Sequence, residues 1–119
     1  MGTTVVIVDD HAGFRRMARR MLEDAGFDVV GEAADGAEAL ASVAALGPRL
    51  VLLDIQLPDL DGFGVARRLA ESGSDVAVIL TSSRSASDYG ARISRAPAIG
   101  FIAKAELSGP AVASMLGAA

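Results

Sequence analysis

The chain has 119 residues, 51% of them hydrophobic and 22% charged, with a formal net charge of −4. That length suits one domain whose core needs no covalent staple. With no cysteine present, disulfides, zinc thiolate sites and thiol nucleophiles are excluded. No apolar run reaches the roughly 18 residues needed to span a bilayer, and the acidic balance speaks against direct nucleic-acid binding. The segment running from Met1 to Asp9-Asp10 lacks the make-up of a signal peptide, so a cytoplasmic location is expected. Positive charge comes from ten arginines and a single lysine, Lys104.

Thr4 to Val8 is a continuous β-branched run closed by Asp9-Asp10, the pattern of a strand buried on both faces. From Ala12 to Ala25, residues Phe14, Met17, Ala18, Met21 and Leu22 recur at helical spacing and are expected in the core. Arg15, Arg16, Arg19 and Arg20 fill the rest of that helix and read as a solvated face paired with Glu23 and Asp24. Gly26 stops it. Phe27 to Val30 is a weaker strand, and Asp35 caps a second helix that carries Leu40 and Val43 and ends at Gly47-Pro48. Leu50 to Leu53 is a buried strand ending at Asp54, and a Pro/Asp/Gly loop leads to a helix around Val65 to Ala70. Val76 to Leu80 is the next buried strand, closed by Thr81-Ser82-Ser83. The serine-rich stretch Arg84 to Pro97 predicts only a short helix near Tyr89 to Ile93. Ile99 to Ala103 is a fifth strand, followed by Lys104, and Ser108 and Pro110 open a last helix carrying Val112, Met115 and Leu116.

Strands alternating with helices predict an open α/β domain with a five-stranded parallel sheet and helices on both faces. Ligands in such folds bind beyond the carboxyl ends of the strands. Those ends carry Asp9, Asp10, Asp54, Thr81, Ser82 and Lys104. Clustered carboxylates repel and raise one another's proton affinity. A hard divalent cation such as Mg2+ relieves that repulsion, because it takes oxygen ligands and commonly pairs carboxylates with a phosphate. Lys104 and Thr81 then offer an ammonium and a hydroxyl to a bound oxyanion. A compact ammonium in an arginine-dominated chain fits a point where a planar guanidinium would not. His11 has no second histidine to join it and reads as a surface residue at a helix start. Phe63 and Tyr89 suit either packing or contact roles.

These residues resemble the receiver domain of two-component response regulators over Val5 to Leu116. The matching pieces are VVIVDDH, LVLLDIQLPDLDGF, VILTSS and GFIAK, in that order and at receiver spacing. The resemblance implies a (βα)5 flavodoxin-like fold, with 1–119 a single receiver domain containing no output domain. It implies Asp54 as the nucleophile that takes a phosphoryl group from a sensor histidine kinase or phosphotransfer protein. Asp10 would bind Mg2+ directly, Asp9 mainly through water, and Asp54 and the Gln56 carbonyl would complete the metal shell. Lys104 would pair with Asp54 and then with the phosphoryl oxygens. Thr81 would swing toward the phosphoryl group and Phe101 would follow it inward. The domain would hydrolyse its own acyl phosphate, with Gln56 and Ser83 tuning water access, without being a turnover enzyme. The switched surface would be the fourth helix, fifth strand and fifth helix, read by a downstream output domain or protein.

The pattern is closest to receivers that precede a helix-turn-helix DNA-binding domain. Arg84 to Pro97 departs from it by lacking the usual Gly-Ala and having Pro97 instead. That departure keeps a second function open, a degenerate receiver acting as a phosphorylation-independent interaction module. A third, an aspartyl-phosphate hydrolase, needs an acidic residue where Gln56 stands, and a dinucleotide fold needs a glycine-rich loop after the first strand. A homodimer through the first or last helix is compatible with the sequence.

Overall fold

The computed structural model describes residues Gly2 to Ala118; Met1, where the sequence reading of the leader segment begins, and Ala119 lie outside the described residues. The continuous apolar runs become strands because parallel strands covered by helices bury both faces. They are β1 (Thr4–Val8), β2 (Asp28–Ala33), β3 (Leu50–Asp54), β4 (Ala77–Ser82) and β5 (Gly100–Ala103). Between and after them lie α1 (Ala12–Asp24), α2 (Gly36–Leu46), α3 (Gly62–Glu71), α4 (Ala91–Arg95) and α5 (Gly109–Ala118). The sheet is parallel, in the order β2-β1-β3-β4-β5.

Side chains alternate across each strand, so every strand feeds two cores. Val5 and Ile7 of β1 pack with Leu50, Leu52 and Ile79 under α1 and α5. Val6 and Val8 pack with Val51, Leu53 and Leu80 under α2, α3 and α4. This is the expected doubly wound α/β domain. Because β1 is flanked by β2 and β3, the chain leaves the sheet in opposite directions from the ends of β1 and β3, and a crevice opens there. Among the described residues, no helix is long and apolar enough to cross a membrane.

The helix ends follow local chemistry. Asp35 accepts from the Glu38 N–H at 2.8 Å while the Glu38 carboxylate accepts from the Ala34 N–H at 2.9 Å, a reciprocal cap on α2. Gly47 ends that helix at φ 55°, a left-handed position that glycine reaches without strain. Asp61 caps α3 through the Gly64 N–H.

Several expectations need correcting. β2 runs to Ala33, three residues beyond the sequence reading, because its later residues pair in register with β1 across a bulge at Val5/Val6. α3 begins at Gly62, one turn early, because Asp61 is its cap. α4 is displaced to Ala91–Arg95, and Tyr89 sits just outside it, after a single 3-10 turn at Ala86–Asp88. Met17 is not core: it is 49% exposed, because α1 rests on the sheet through Ala18 and Leu22, and Met17 falls at the edge of that contact.

Gly62 stands where the β3–α3 loop folds back on itself. A Cβ there would lie 2.5 Å from the Asp54 carbonyl oxygen and 2.7 Å from Ile55 Cα. Backbone cannot yield as a flexible side chain does, so Gly62→Ala should cost about 1–3 kcal/mol and shift the Asp54 and Gln56 amide resonances. An unchanged denaturation midpoint would contradict this.

Candidate functional site

The carboxyl ends of β1, β3, β4 and β5 bring together the residues singled out at the sheet edge. Asp9 is fully buried and Asp54 nearly so. The Lys104 Nζ, on the turn that follows β5, donates to Asp9 Oδ2 at 2.6 Å and to Asp54 Oδ2 at 3.4 Å. Beneath it, the Phe14 ring centroid lies 4.2 Å from the ammonium, so α1 supplies an aromatic floor. The lone lysine therefore spans the two buried carboxylates from the far edge of the sheet.

Burial alone would raise the pKa of Asp9. The Lys104 ammonium and the His11 N–H, which donates to Asp9 Oδ1 at 2.8 Å, outweigh it and hold the carboxyl below its usual value. Asp54 goes the other way. Burial and the neighbouring Asp9 carboxylate push it up to about 6, against the lowering effect of the Gln56 N–H and Lys104. Burial works against a charged Lys104, yet the two aspartates raise its pKa.

Asp10 is exposed and lies next to the buried Asp9. His11 is at the surface as expected, but its ring is not idle. Its Nδ1 lies 3.2 Å from Asp9 Oδ1 and 3.0 Å from Asp10 Oδ1, and the three residues offer ligand atoms within 4.8 Å of one another. Gln56 is exposed, with its N–H donating to Asp54 Oδ1 at 3.1 Å. Thr81 is fully buried, and its hydroxyl donates to the Ile102 carbonyl on β5 at 2.7 Å. Phe101 is half-buried, with its ring 6.3 Å from that of Tyr89.

A match to the family model described as response regulator receiver domain runs over residues 5–110. The chain belongs to the response regulator receiver domains. The response regulator UvrY of Escherichia coli is 36% identical over 101 residues, 84% of this chain and 46% of that protein. A Pseudomonas aeruginosa protein named as a transcriptional regulator is 39% identical over 102 residues, 86% of this chain and 49% of that protein. The chain thus spans about half the length of these curated relatives. Among solved structures, the signal receiver domain of NarL from Mycobacterium tuberculosis superposes with a TM-score of 0.86 at 32% identity, covering 98% of each chain. The CheX–CheY–BeF3–Mg2+ complex of Borrelia burgdorferi contains a chain matching at 25% identity and a TM-score of 0.85, over 98% of this chain and 87% of that one. Two-component signalling and transcription regulation are thereby the setting of its relatives.

Arg15 and Arg19, expected on a solvated face, also shape this receiver's site, together with Glu32 and Asp59, which the sequence did not single out. Arg15 donates to the Asp9 carbonyl at 2.6 Å and to Glu32 on β2 at 3.0 Å. Arg19 donates to the other Glu32 oxygen at 2.8 Å and to the Val29 carbonyl at 3.2 Å. The expected partners Glu23 and Asp24 are thus mostly displaced by Glu32, and only a 3.5 Å contact from Arg19 to Glu23 remains. Burial would raise the Glu32 pKa, but the two guanidiniums hold it down. Arg15 and Arg19 lie one turn apart, which is the signal that they can share one acid. Glu32→Gln should lower stability by about 1–2 kcal/mol near neutral pH, since two charge-assisted hydrogen bonds weaken. The difference should vanish in acid, where Glu32 is itself protonated; equal urea midpoints at both pH values would contradict this. Asp59, in the β3–α3 loop, accepts from the Gly36 and Ala37 N–H groups at 2.8 and 3.0 Å and so pins that loop to the start of α2.

Proposed function

We propose that this receiver takes a phosphoryl group on Asp54 from the phosphohistidine of a sensor histidine kinase or phosphotransfer protein, with Mg2+, and so controls a downstream output domain or protein. The observation that carries this reading is the state of Asp54: a buried carboxyl pushed up to about 6, with an ammonium 3.4 Å away and a second buried carboxylate beside it. The Asp9 and Asp54 carboxylates face one ammonium, with the exposed Asp10 carboxylate next to them in the chain, so this edge carries more negative than positive charge. The donors are hard oxygens, so the set suits Mg2+. Asp10, Asp9, Asp54 and the Gln56 carbonyl would hold it, and when bound it would neutralise carboxylate and phosphoryl charge. The beryllofluoride and Mg2+ carried by the Borrelia CheY complex support the same chemistry by similarity.

In the transfer, an Asp54 carboxylate oxygen forms a bond to phosphorus while the phosphorus–nitrogen bond of phosphohistidine breaks. The electron pair stays on the imidazole nitrogen, which takes a proton from solvent. Lys104 keeps hold of Asp9 and meets the charge on the incoming phosphoryl oxygens, an electrostatic contribution made in place. Thr81 exchanges the Ile102 carbonyl for a phosphoryl oxygen, and Phe101 moves inward behind it. Hydrolysis reverses the modification: water attacks, the bond from Asp54 to phosphorus breaks, and inorganic phosphate leaves. Gln56 and Ser83, both exposed at the rim, would set water access. Such a domain is a switch that shifts between two conformations, not a turnover enzyme.

Titration with Mg2+ and then beryllofluoride, followed by amide NMR, tests this reading. Saturable shifts at Thr81 and Phe101 that need both additions are expected. No response at saturating metal would favour the phosphorylation-independent interaction module instead.

A further inference from the structure

Tyr89 occupies a place that neither the sequence pattern nor the phosphoryl chemistry uses. Its hydroxyl lies 2.7 Å from the Ser82 hydroxyl, and Ser82 is fully buried at the end of β4, directly after Thr81. Its ring stands between two others, 5.7 Å from Phe63 at the start of α3 and 6.3 Å from Phe101 on β5. The segment carrying it is stitched down on both sides. The Ser82 hydroxyl also accepts from the Arg84 N–H at 3.1 Å. Arg92 of α4 lies 4.4 Å from the centroid of the Phe63 ring and 3.2 Å from Asp61. Tyr89 is thus a wedge between the first turn of α3 and the strand end that carries Thr81.

We propose that Tyr89 is a positioning residue for the hydroxyl edge of the site, holding Ser82, and with it Thr81, in the resting arrangement and releasing both when Asp54 is modified. The inference rests on the reading of Asp54 as phosphoacceptor. Thr81 has one hydroxyl proton, and here it goes to the Ile102 carbonyl. The proton cannot also reach an oxyanion on Asp54. Thr81 and Ser82 share a peptide bond, so backbone movement that carries Thr81 toward Asp54 also strains the Ser82–Tyr89 hydrogen bond. Inward movement of Phe101 removes one wall of the Tyr89 slot at the same moment. Phe101 has no hydroxyl of its own, so the hydrogen-bonded half of the switch falls to Tyr89, and through it to the α4 surface.

The chain contains one tyrosine and no tryptophan, so its intrinsic fluorescence reports Tyr89 alone. With Mg2+ present, adding beryllofluoride should change that emission in step with the amide shifts of Thr81. Tyr89→Phe, which deletes a bond present only at rest, should bind beryllofluoride on the order of threefold to tenfold more tightly by NMR, the size expected for one hydrogen bond. Ser82→Ala should do the same, and the double variant should add nothing further. A residue needed only for packing would weaken binding when altered. Constant emission while amide shifts show beryllofluoride bound, or equal or weaker binding by Tyr89→Phe, would overturn the inference and leave the role of Asp54 standing. No binding to the unaltered protein would overturn both.

Discussion

Asp54→Asn should end phosphoryl uptake and at the same time make the protein more stable near neutral pH, by up to about 3 kcal/mol. The stability gain follows from the raised pKa. Unfolded, the carboxyl titrates near 3.8; folded, near 6. Between those values the folded state holds a proton that the unfolded state has released, so stability falls as pH rises through that window and stays low above it. Asparagine carries no such charge and can still accept from the Gln56 N–H. The advantage of the variant should therefore be full above about pH 6 and disappear near pH 4, measured by urea denaturation at the two extremes. Saturating Mg2+ should narrow it by binding the wild-type carboxylate. An Asp54→Asn protein less stable than wild type near pH 7 would contradict the electrostatic picture of the pocket. Asp9 has the opposite dependence, since its lowered pKa adds stability that is lost in acid, but it is present in both proteins.

Lys104→Met should have the opposite effect on stability and an equally severe one on chemistry. The ammonium is the partner of a fully buried Asp9 carboxylate at 2.6 Å. Removing one member of a buried pair leaves an uncompensated charge, at a cost of about 3–5 kcal/mol. Part of that loss should return on acidification or with Mg2+, either of which neutralises Asp9. Phosphoryl uptake should fall on the order of a hundredfold or more, because a fixed positive group beside the reacting oxygens is lost. Lys104→Arg separates the two roles. It keeps the charge, so most stability should survive, but the planar fork cannot place a point charge between Asp9 and Asp54 over the Phe14 ring. Normal uptake by Lys104→Arg would remove the meaning attached to a single lysine among ten arginines.

The strands and the site's sheet edge were legible because they depend on local composition. A run such as Val5 to Val8 or Leu50 to Leu53 can be buried on both sides only as a central parallel strand, and the polar residue ending it must then face the crevice. Caps and stops at Asp35 and Gly47 were legible for the same reason. What depends on distant partners was not. The apolar stripe of α1 is wider than the sheet contact beneath it, so periodicity placed Met17 in a core that only Ala18 and Leu22 fully enter. Nothing in the helix itself favours Glu32, seventeen residues from Arg15 along the chain, over nearby Glu23 and Asp24. The α4 segment has too few apolar residues to set its own bounds. Gly90 at φ 57°, the Arg92–Asp61 pair and the wedged Tyr89 ring set them instead.

Intact-mass analysis after incubation with Mg2+ and a small phosphodonor addresses the role of Asp54 most directly. Wild-type protein should gain one phosphoryl group, and neither Asp54→Asn nor wild type with the metal chelated should gain any. An equal mass gain in Asp54→Asn would contradict the assignment of Asp54 as the phosphoacceptor.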